Sequence, residues 1–299
     1  MLIRKWFGWE EVDFSVYNDV YNIYGGNIST HPDVLNFQHE RFNINHKYLA
    51  KFNSKGSIDG AICVWDDKYL SNDGKNENEK NKRRLTVPRD ELILPINPAA
   101  KVVLPVSSRF ISLANCNSIL NCSLSINSKR EICLVNDKYR FSTSKNTERK
   151  MQKILHLGGR IADCKSMCSD EIFDIFLFLT EARWGGLWAD KQLTKEFFKI
   201  IYPLFFGNVL FIKNKPLAFN LTTKTKFNNT NVIEYIHSGT DFSLINKSFS
   251  PGEVLIYSNI KKAFSELSGD IRYSFGNPSR DYKKRWCTKV PLGRAMFPF

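Results

Sequence analysis

Hydrophobic and polar residues follow regular spacings along the second half of the chain, and these spacings predict both helices and strands. Ile271, Tyr273 and Phe275 occupy every second position, which is the spacing of a half-buried strand. The Ser-Pro-Gly sequence at Ser250 is a typical helix start and predicts a helix over residues 251–267. The other predicted elements are helices at 142–157, 172–184 and 193–205, strands at 160–164 and 231–238, and a hairpin of 208–213 and 215–225.

The first half begins with a helix and continues into strands. Val16, Val20 and Ile23 recur at helical spacing over residues 14–24, and two glycines follow that end the helix. The rest of this half is predicted to be a helix through residue 42, a hairpin of strands at 47–52 and 58–65, an exposed charged loop at 68–84, extended edges and turns at 88–105, and short strands over 111–135.

The order of these elements predicts an α/β fold with mixed parallel and antiparallel sheets covered by helices. The chain has 299 residues, which suits one large or two medium domains. A basic helix at 142–157 ends in two glycines and is predicted to be capped by either Ser144 or Asn146, and Ser250 is the predicted cap of the helix at 251–267.

The chain is strongly basic, with a formal net charge of +13. This excess favours an anionic partner, which is a nucleic acid, an anionic membrane surface or a phosphate-bearing cofactor. No apolar run approaches the ~20 residues of a membrane-spanning helix, so any membrane association is predicted to be peripheral. The seven cysteines include no C-x-x-C pair and no zinc-finger spacing, which predicts reduced cytoplasmic thiols and no metal.

The segment from Asp270 to Cys287 reads DIRYSFGNPSRDYKKRWC. By composition alone it is a solvated basic edge. It also resembles the F-x-F/S-x-G-x(n)-Y-K-x-x-W signature of the GNAT-like acyltransferase superfamily, in particular the branch of the Fem-type acyltransferases. The resemblance implies two GNAT-like domains with mixed sheets. The N-terminal one, at residues 1–141, is degenerate, and the C-terminal one, at residues 142–299, is entered by the basic helix at 142–157.

Several motifs in order also resemble one narrower family, the macrophage-inducible (Mig-type) virulence proteins of Gram-negative bacteria. They are W-x-E-V-x-F-S-x-Y at residues 9–17 with its continuation to residue 32, E-L-I-L-P-x-x-P-A-A at 91–100, S-P-G-x-V-L at 250–255 and Y-S-F-G…D-Y-K-x-x-W at 273–286. This resemblance implies resistance to cationic antimicrobial peptides and a cytoplasmic location, peripheral on the inner membrane. It names no substrate.

The acyltransferase resemblance implies a candidate site. In the superfamily, a loop placed like Ser250 and Gly252 holds the pyrophosphate of coenzyme A, and free N–H groups at a helix start bind anions. The usual Q/R-x-x-G-x-G/A motif is absent here, and Glu253 adds a negative charge. A well-capped structural helix is the alternative interpretation of this segment.

The catalytic candidates follow from the same resemblance. Glu234 and His237 lie on the strand that carries the base in many relatives, and alternation allows only one of them to face a cleft. Tyr282 is the candidate general acid, and Lys283 is the candidate phosphate ligand. The cofactor is predicted to be an acyl-CoA or another acyl donor, and the acceptor carries an amine.

Three functions remain open from the sequence. The first is N-acyl transfer to an envelope component or another amine. The second is a non-catalytic GNAT-like protein that works at the membrane through a binding partner. The third is a transcriptional regulator, which is disfavoured because no helix-turn-helix is recognisable and DNA is therefore an unlikely partner. Motifs for nucleotide, serine and zinc-dependent hydrolysis are absent from the sequence.

Overall fold

The computed structural model describes residues 7–73, 87–123, 130–136, 144–186 and 190–296. In the first part of the chain its strands and helices are β1 (Trp9–Val12), α1 (Phe14–Tyr24), α2 (Pro32–Phe42), β2 (His46–Phe52), β3 (Ile58–Trp65), β4 (Tyr69–Leu70), β5 (Ser108–Ile111), α3 (Leu113–Cys116), β6 (Cys122–Ser123) and β7 (Glu131–Val135). They continue with α4 (Lys145–His156), β8 (Gly159–Asp163), α5 (Ser169–Trp184), α6 (Lys191–Ile201), β9 (Asn208–Ile212), β10 (Lys215–Phe227), β11 (Thr230–Thr240), α7 (Pro251–Glu266), β12 (Asp270–Ser274), β13 (Cys287–Pro291) and β14 (Gly293–Ala295).

A seven-stranded sheet forms the centre of the second half, in the order β13-β7-β12-β11-β10-β9-β8. Among the described strands of this sheet, only β11 and β12 pair in parallel, and α7 forms the crossover between them that a parallel pair requires. The β9–β10 hairpin turns at Lys213 and Asn214, whose φ angles of 47° and 62° fit a two-residue hairpin turn. The predicted hairpin and the predicted strand after α7 are confirmed.

Helices cover both faces of this sheet because its strands are apolar on both sides. On β9, Val209 and Phe211 pack into a phenylalanine-rich cluster with α5 and α6. Leu210 and Ile212 point the other way and pack against α4 and α7. Burying each such side chain contributes about 1.5 to 3 kcal/mol. Alternation along one strand therefore fixes two helical layers.

The first half holds a four-stranded antiparallel sheet in the order β1-β2-β3-β4. Tyr48 and Trp65 lie on the face that packs against α1 and α2. Leu49 and Ile62 lie on the opposite face, under the extended segment at 92–111. The strands predicted at 47–52 and 58–65 are confirmed as β2 and β3.

The two halves of the chain exchange strands. β7 lies between β12 and β13 in the seven-stranded sheet, and β14 pairs with both β5 and β6. The proposed boundary between residues 141 and 142 lies outside the described residues, as does most of the predicted loop at 68–84. The division into two domains therefore stays a prediction, and the described sheets contain strands from both sides of it.

Some helix caps differ from the prediction. Ser250 stands at the start of α7 with a φ of 49°, but its side chain makes no capping hydrogen bond; its Oγ instead accepts from Lys150 Nζ at 3.2 Å. Ser144 likewise precedes α4 without a side-chain capping bond. At α5 the cap lies at Cys168, whose N–H donates to Glu171 at 2.7 Å. Among the helices that the structure describes, none has the length and hydrophobicity to cross a lipid bilayer.

Candidate functional site

The parallel strands β11 and β12 separate at their carboxyl ends. Their pairing stops at Glu234 and Ser274, whereas β11 continues to Thr240. The next residues, Tyr235 and Phe275, line a cleft of about 1000 Å³, with their rings stacked at 4.8 Å between centroids. A split at the carboxyl ends of strands is a common place for a ligand in α/β folds.

A β-bulge in β11 lies at the mouth of this split. Leu221 pairs with His237 and Thr222 pairs with Tyr235, so Ile236 is an extra residue on β11. Bulges bend a strand and redirect its side chains. Here the bulge interrupts the simple alternation that the sequence predicted, and Tyr235, Ile236 and His237 all line the cleft.

Glu234 does not belong to the cleft wall. Its carboxylate is buried against the first half of the chain, where it accepts from the Ile28 N–H and from Asn27 Nδ2, both at 2.9 Å. Burial raises the pKa of Glu234 to about 7, although both hydrogen bonds act in the opposite direction. The cleft lies on another side of β11, so the predicted role of Glu234 as catalytic base has no geometric support.

His237, the other candidate on this strand, does line the cleft. Burial lowers the pKa of His237 to about 4, so its imidazole is neutral at neutral pH. Its Nε2 lies 3.4 Å from Thr180 Oγ1, and its ring packs against Phe176 and Trp184. One ring nitrogen of a neutral imidazole is free to accept a proton.

Tyr282 and Lys283 also lie on the cleft wall, in a short 3₁₀ turn before β13. Burial raises the pKa of Tyr282, which keeps its phenol protonated. Lys283 is only 8% exposed, and its ammonium donates to the carbonyl oxygens of Phe275 and Asn277, both at 2.6 Å. The predicted phosphate ligand therefore ties the end of β12 to the 3₁₀ turn.

The amino end of α7 forms another wall, with Ser250, Gly252 and Glu253 facing the cleft. A Cβ atom on Gly252 would lie 3.2 Å from Thr240 Oγ1, so this helix end approaches β11 closely. Glu253 accepts from Thr147 Oγ1 at 2.9 Å. Its charge is also offset by cations, because it pairs with Lys150 at 3.1 Å and with Arg285.

The cleft wall is predominantly cationic. Arg183, Lys247 and Arg280 line it, are exposed, and form no ion pair within the described ranges. Arg183 lies over the rings of Trp184 and Phe242, at 5.4 and 5.1 Å from their centroids. Arg183 and Trp184, the last two residues of α5, therefore form part of the cleft wall.

Asn220 on β10 was missed by sequence reasoning. It is 3% exposed, lines the cleft and pairs in register with Ser238. Its Nδ2 is buried without a hydrogen-bond partner in the part of the chain that the structure describes, and buried polar groups are rarely left unpaired. The available signal was an amide inside the apolar run Leu-Ala-Phe-Asn-Leu at 217–221.

Comparison with solved structures gives a similar fold over nearly the whole chain. The crystal structure of FemX has a TM-score of 0.59 with 9% identity, over 97% of each chain. The C-terminal domain of a putative lysylphosphatidylglycerol synthetase from Agrobacterium fabrum has a TM-score of 0.41 with 10% identity, over 63% of this chain and 66% of that one.

A GCN5-related glucosamine N-acetyltransferase region of a fungal multi-domain β-N-acetylglucosaminidase has a TM-score of 0.39 with 8% identity, over 97% of this chain and 38% of that one. No curated protein matches the sequence. The likeness to FemX and the mixed sheets with helices on both faces confirm the predicted α/β, GNAT-like fold. The sequence model of the Mig-14 family matches residues 31–295, and the chain therefore belongs to the Mig-14 family.

Proposed function

We propose that the protein transfers an acyl group from a phosphate-bearing donor, such as an acyl-CoA, to an amine of an envelope component, and that this reaction gives resistance to cationic antimicrobial peptides. The observation that carries the proposal is the cleft between β11 and β12, whose wall contains three cations without ion-pair partners among the described residues. The FemX-like fold supports it as well.

The donor side of the cleft is the mouth formed by Arg183, Lys247 and Arg280. Exposed cations that lack a carboxylate partner are available to phosphate oxygens. The first N–H groups of α7 lie at the same wall, and a helix amino end favours negative charge. Because Lys150 and Arg285 offset the Glu253 carboxylate, it repels a phosphate less than the sequence alone suggested.

The chemistry needs a proton acceptor and a proton donor at the same cleft. The amine nitrogen attacks the acyl carbonyl, a C–N bond forms, and the bond from the carbonyl carbon to the donor's leaving group breaks. His237, neutral at neutral pH, receives the amine proton. The phenol of Tyr282 gives its proton to the leaving group, and both residues line the cleft.

A membrane position fits the surface at the cleft mouth. Trp184 is 48% exposed there beside the cations Arg183 and Lys247, and the net charge is +13. Basic residues with exposed aromatic rings favour peripheral binding to an anionic lipid surface. We propose that the protein lies on the cytoplasmic face of the inner membrane with this mouth near the lipid.

The test measures binding of acetyl-CoA and longer acyl-CoAs by calorimetry to the wild type and to the triple variant Arg183→Ala, Lys247→Ala, Arg280→Ala. The control is Lys55→Ala, Arg109→Ala, Lys215→Ala, which loses the same charge at exposed positions away from the cleft. We expect at least a tenfold weaker affinity for the first variant only. Equal weakening by both variants would mean that net charge, not the cleft, holds the donor.

One observation favours the non-catalytic alternative: Lys283 and Glu234 are both held in structural contacts. In that case the protein acts at the membrane through a binding partner. Survival of a deletion strain under a polymyxin-type peptide separates the two functions. His237→Ala combined with Tyr282→Phe abolishes protection if the protein transfers an acyl group, and leaves protection unchanged if it acts without catalysis.

A further inference from the structure

Two cysteines lie in contact in the small sheet that contains β5, β14 and β6. Cys116 ends α3 and Cys122 begins β6. Their Sγ atoms are 3.7 Å apart, and both residues are partly exposed. Neither residue lines the cleft described above.

The backbone of β14 leaves room for this pair. A Cβ atom on Gly293 would overlap the sulfur of Cys122 and lie 2.7 Å from the sulfur of Cys116. Any larger residue at position 293 would push into the space that both thiols occupy. The close approach of the two sulfurs therefore depends on a glycine far away in the sequence.

The two thiols are chemically unequal. Either sulfur can donate the hydrogen bond between them. Donated by Cys122, this bond stabilises the thiolate of Cys116 and lowers the pKa of Cys116. The same bond and burial raise the pKa of Cys122. The thiolate is the reactive form of cysteine, so Cys116 is the attacking group and Cys122 remains a thiol beside it.

We propose that Cys116 and Cys122 form a reversible dithiol–disulfide site that is oxidised by peroxides. The Cys116 thiolate attacks one oxygen of hydrogen peroxide, the O–O bond breaks, and a sulfenic acid and hydroxide form. The Cys122 sulfur then attacks the Cys116 sulfur, and the sulfenic hydroxyl leaves as water with the Cys122 proton. The two cysteines lose two electrons, and the peroxide is reduced to one hydroxide and one water.

The other five cysteines are poorer candidates. Cys63, Cys133 and Cys164 are buried, and burial raises the pKa of each. The pKa of Cys287 is also raised by burial. Cys168 is exposed but has no thiol in contact within the described residues, so it has no partner for an intramolecular disulfide.

The disulfide would fasten the segment that holds the end of the chain. Cys122 pairs with Ala295 across the sheet. The neighbouring Asn121 exchanges two hydrogen bonds with the backbone of Met296, at 3.0 and 3.1 Å. Closing the loop between residues 116 and 122 limits the motion of this segment, so we expect slower amide exchange at residues 293–296 after oxidation.

The experiment treats the full-length protein with hydrogen peroxide at neutral pH, followed by non-reducing peptide mapping. We expect a Cys116–Cys122 disulfide, the loss of two of the seven thiols, and full reversal by dithiothreitol. Cys122→Ser should leave a sulfenic acid on Cys116 that dimedone traps, and Cys116→Ser should give no disulfide. Oxidation of Cys168 with Cys116 and Cys122 still reduced would overturn the proposal.

A second probe needs no oxidant and so does not depend on the peroxide step. Phenylarsine oxide joins two neighbouring thiols through one arsenic atom and releases one water. The reduced wild type should bind one equivalent at Cys116 and Cys122, and Cys168→Ser should bind it equally well. If the arsenical does not bind the wild type at this pair, the two sulfurs do not reach each other and the site does not exist.

Discussion

The buried carboxyl group of Glu234 should make the stability of the protein depend on pH near neutrality. Its pKa is raised from 4.5 to about 7 in the folded protein because burial disfavours the charged form. Between these two values the folded state binds more protons than the unfolded state. The stabilisation of the folded state by protonated Glu234 is therefore fully present below pH 4.5. It falls as the pH rises through this range and stays constant above about pH 7.

The magnitude follows from the shift in pKa. One pKa unit corresponds to about 1.4 kcal/mol, so moving from about pH 8 to about pH 5 should stabilise the folded state by roughly 2 to 3 kcal/mol through Glu234 alone. His39 and His237 act in the opposite sense, because their pKa values are lowered to about 3 and about 4. The stability that these two neutral, buried histidines give to the folded state is lost as the pH falls below about 6.5.

A variant separates these effects. Glu234→Gln places an amide against the two donors of Asn27 and Ile28, which costs about 1 to 3 kcal/mol at every pH. Urea unfolding of wild type and variant at both pH values should show a gap in stability that is larger at the lower pH by roughly 2 to 3 kcal/mol. Glu40→Gln, at an exposed position on α2, is the charge-matched control. A gap that does not change with pH would refute the reasoning.

Two further substitutions test the packing around the cleft and between the halves of the chain. Lys283→Met leaves the carbonyl oxygens of Phe275 and Asn277 without their charged donor. It should lower the free energy of unfolding, measured in urea, by about 3 kcal/mol. A change within about 0.5 kcal/mol would mean that these two hydrogen bonds do not stabilise the fold. Gly25→Ala should cost more than about 3 kcal/mol, because its φ is +73° and a Cβ would overlap the Lys226 carbonyl. Gly56→Ala, with a φ of +78° and open space around it, should cost only about 1 kcal/mol, and equal costs would contradict the argument.

The local elements could be predicted because their signals are local. The spacing of Val16, Val20 and Ile23 predicted α1, and Ser250-Pro251-Gly252 predicted the start of α7. The strand at 58–65 was predicted with its observed bounds. In each case the residues that decide the structure lie within one or two turns of each other, so periodicity and turn chemistry are sufficient.

The site depended on contacts between distant residues. The bulge at Ile236 arises from the register of β11 with β10, which no short pattern encodes. Glu234 was predicted to be a cleft residue because it lies on β11, and that strand was predicted correctly. Its carboxylate instead accepts a hydrogen bond from Asn27, which is 207 positions away in the sequence. The contact between Cys116 and Cys122 requires Gly293 from the end of the chain. The alternation of side chains along a strand predicts which face of the sheet each residue lies on. What packs against that face is seen only in the assembled sheet.

The central claim is that the cleft between β11 and β12 holds a phosphate-bearing acyl donor. Hydrogen exchange measured by mass spectrometry, with and without saturating acyl-CoA, tests it most directly. We expect slower exchange in the peptides that cover residues 235–240, 250–256 and 275–286, which contribute to the cleft walls. Slower exchange confined to other parts of the protein, or no change with any acyl-CoA at millimolar concentration, would contradict it.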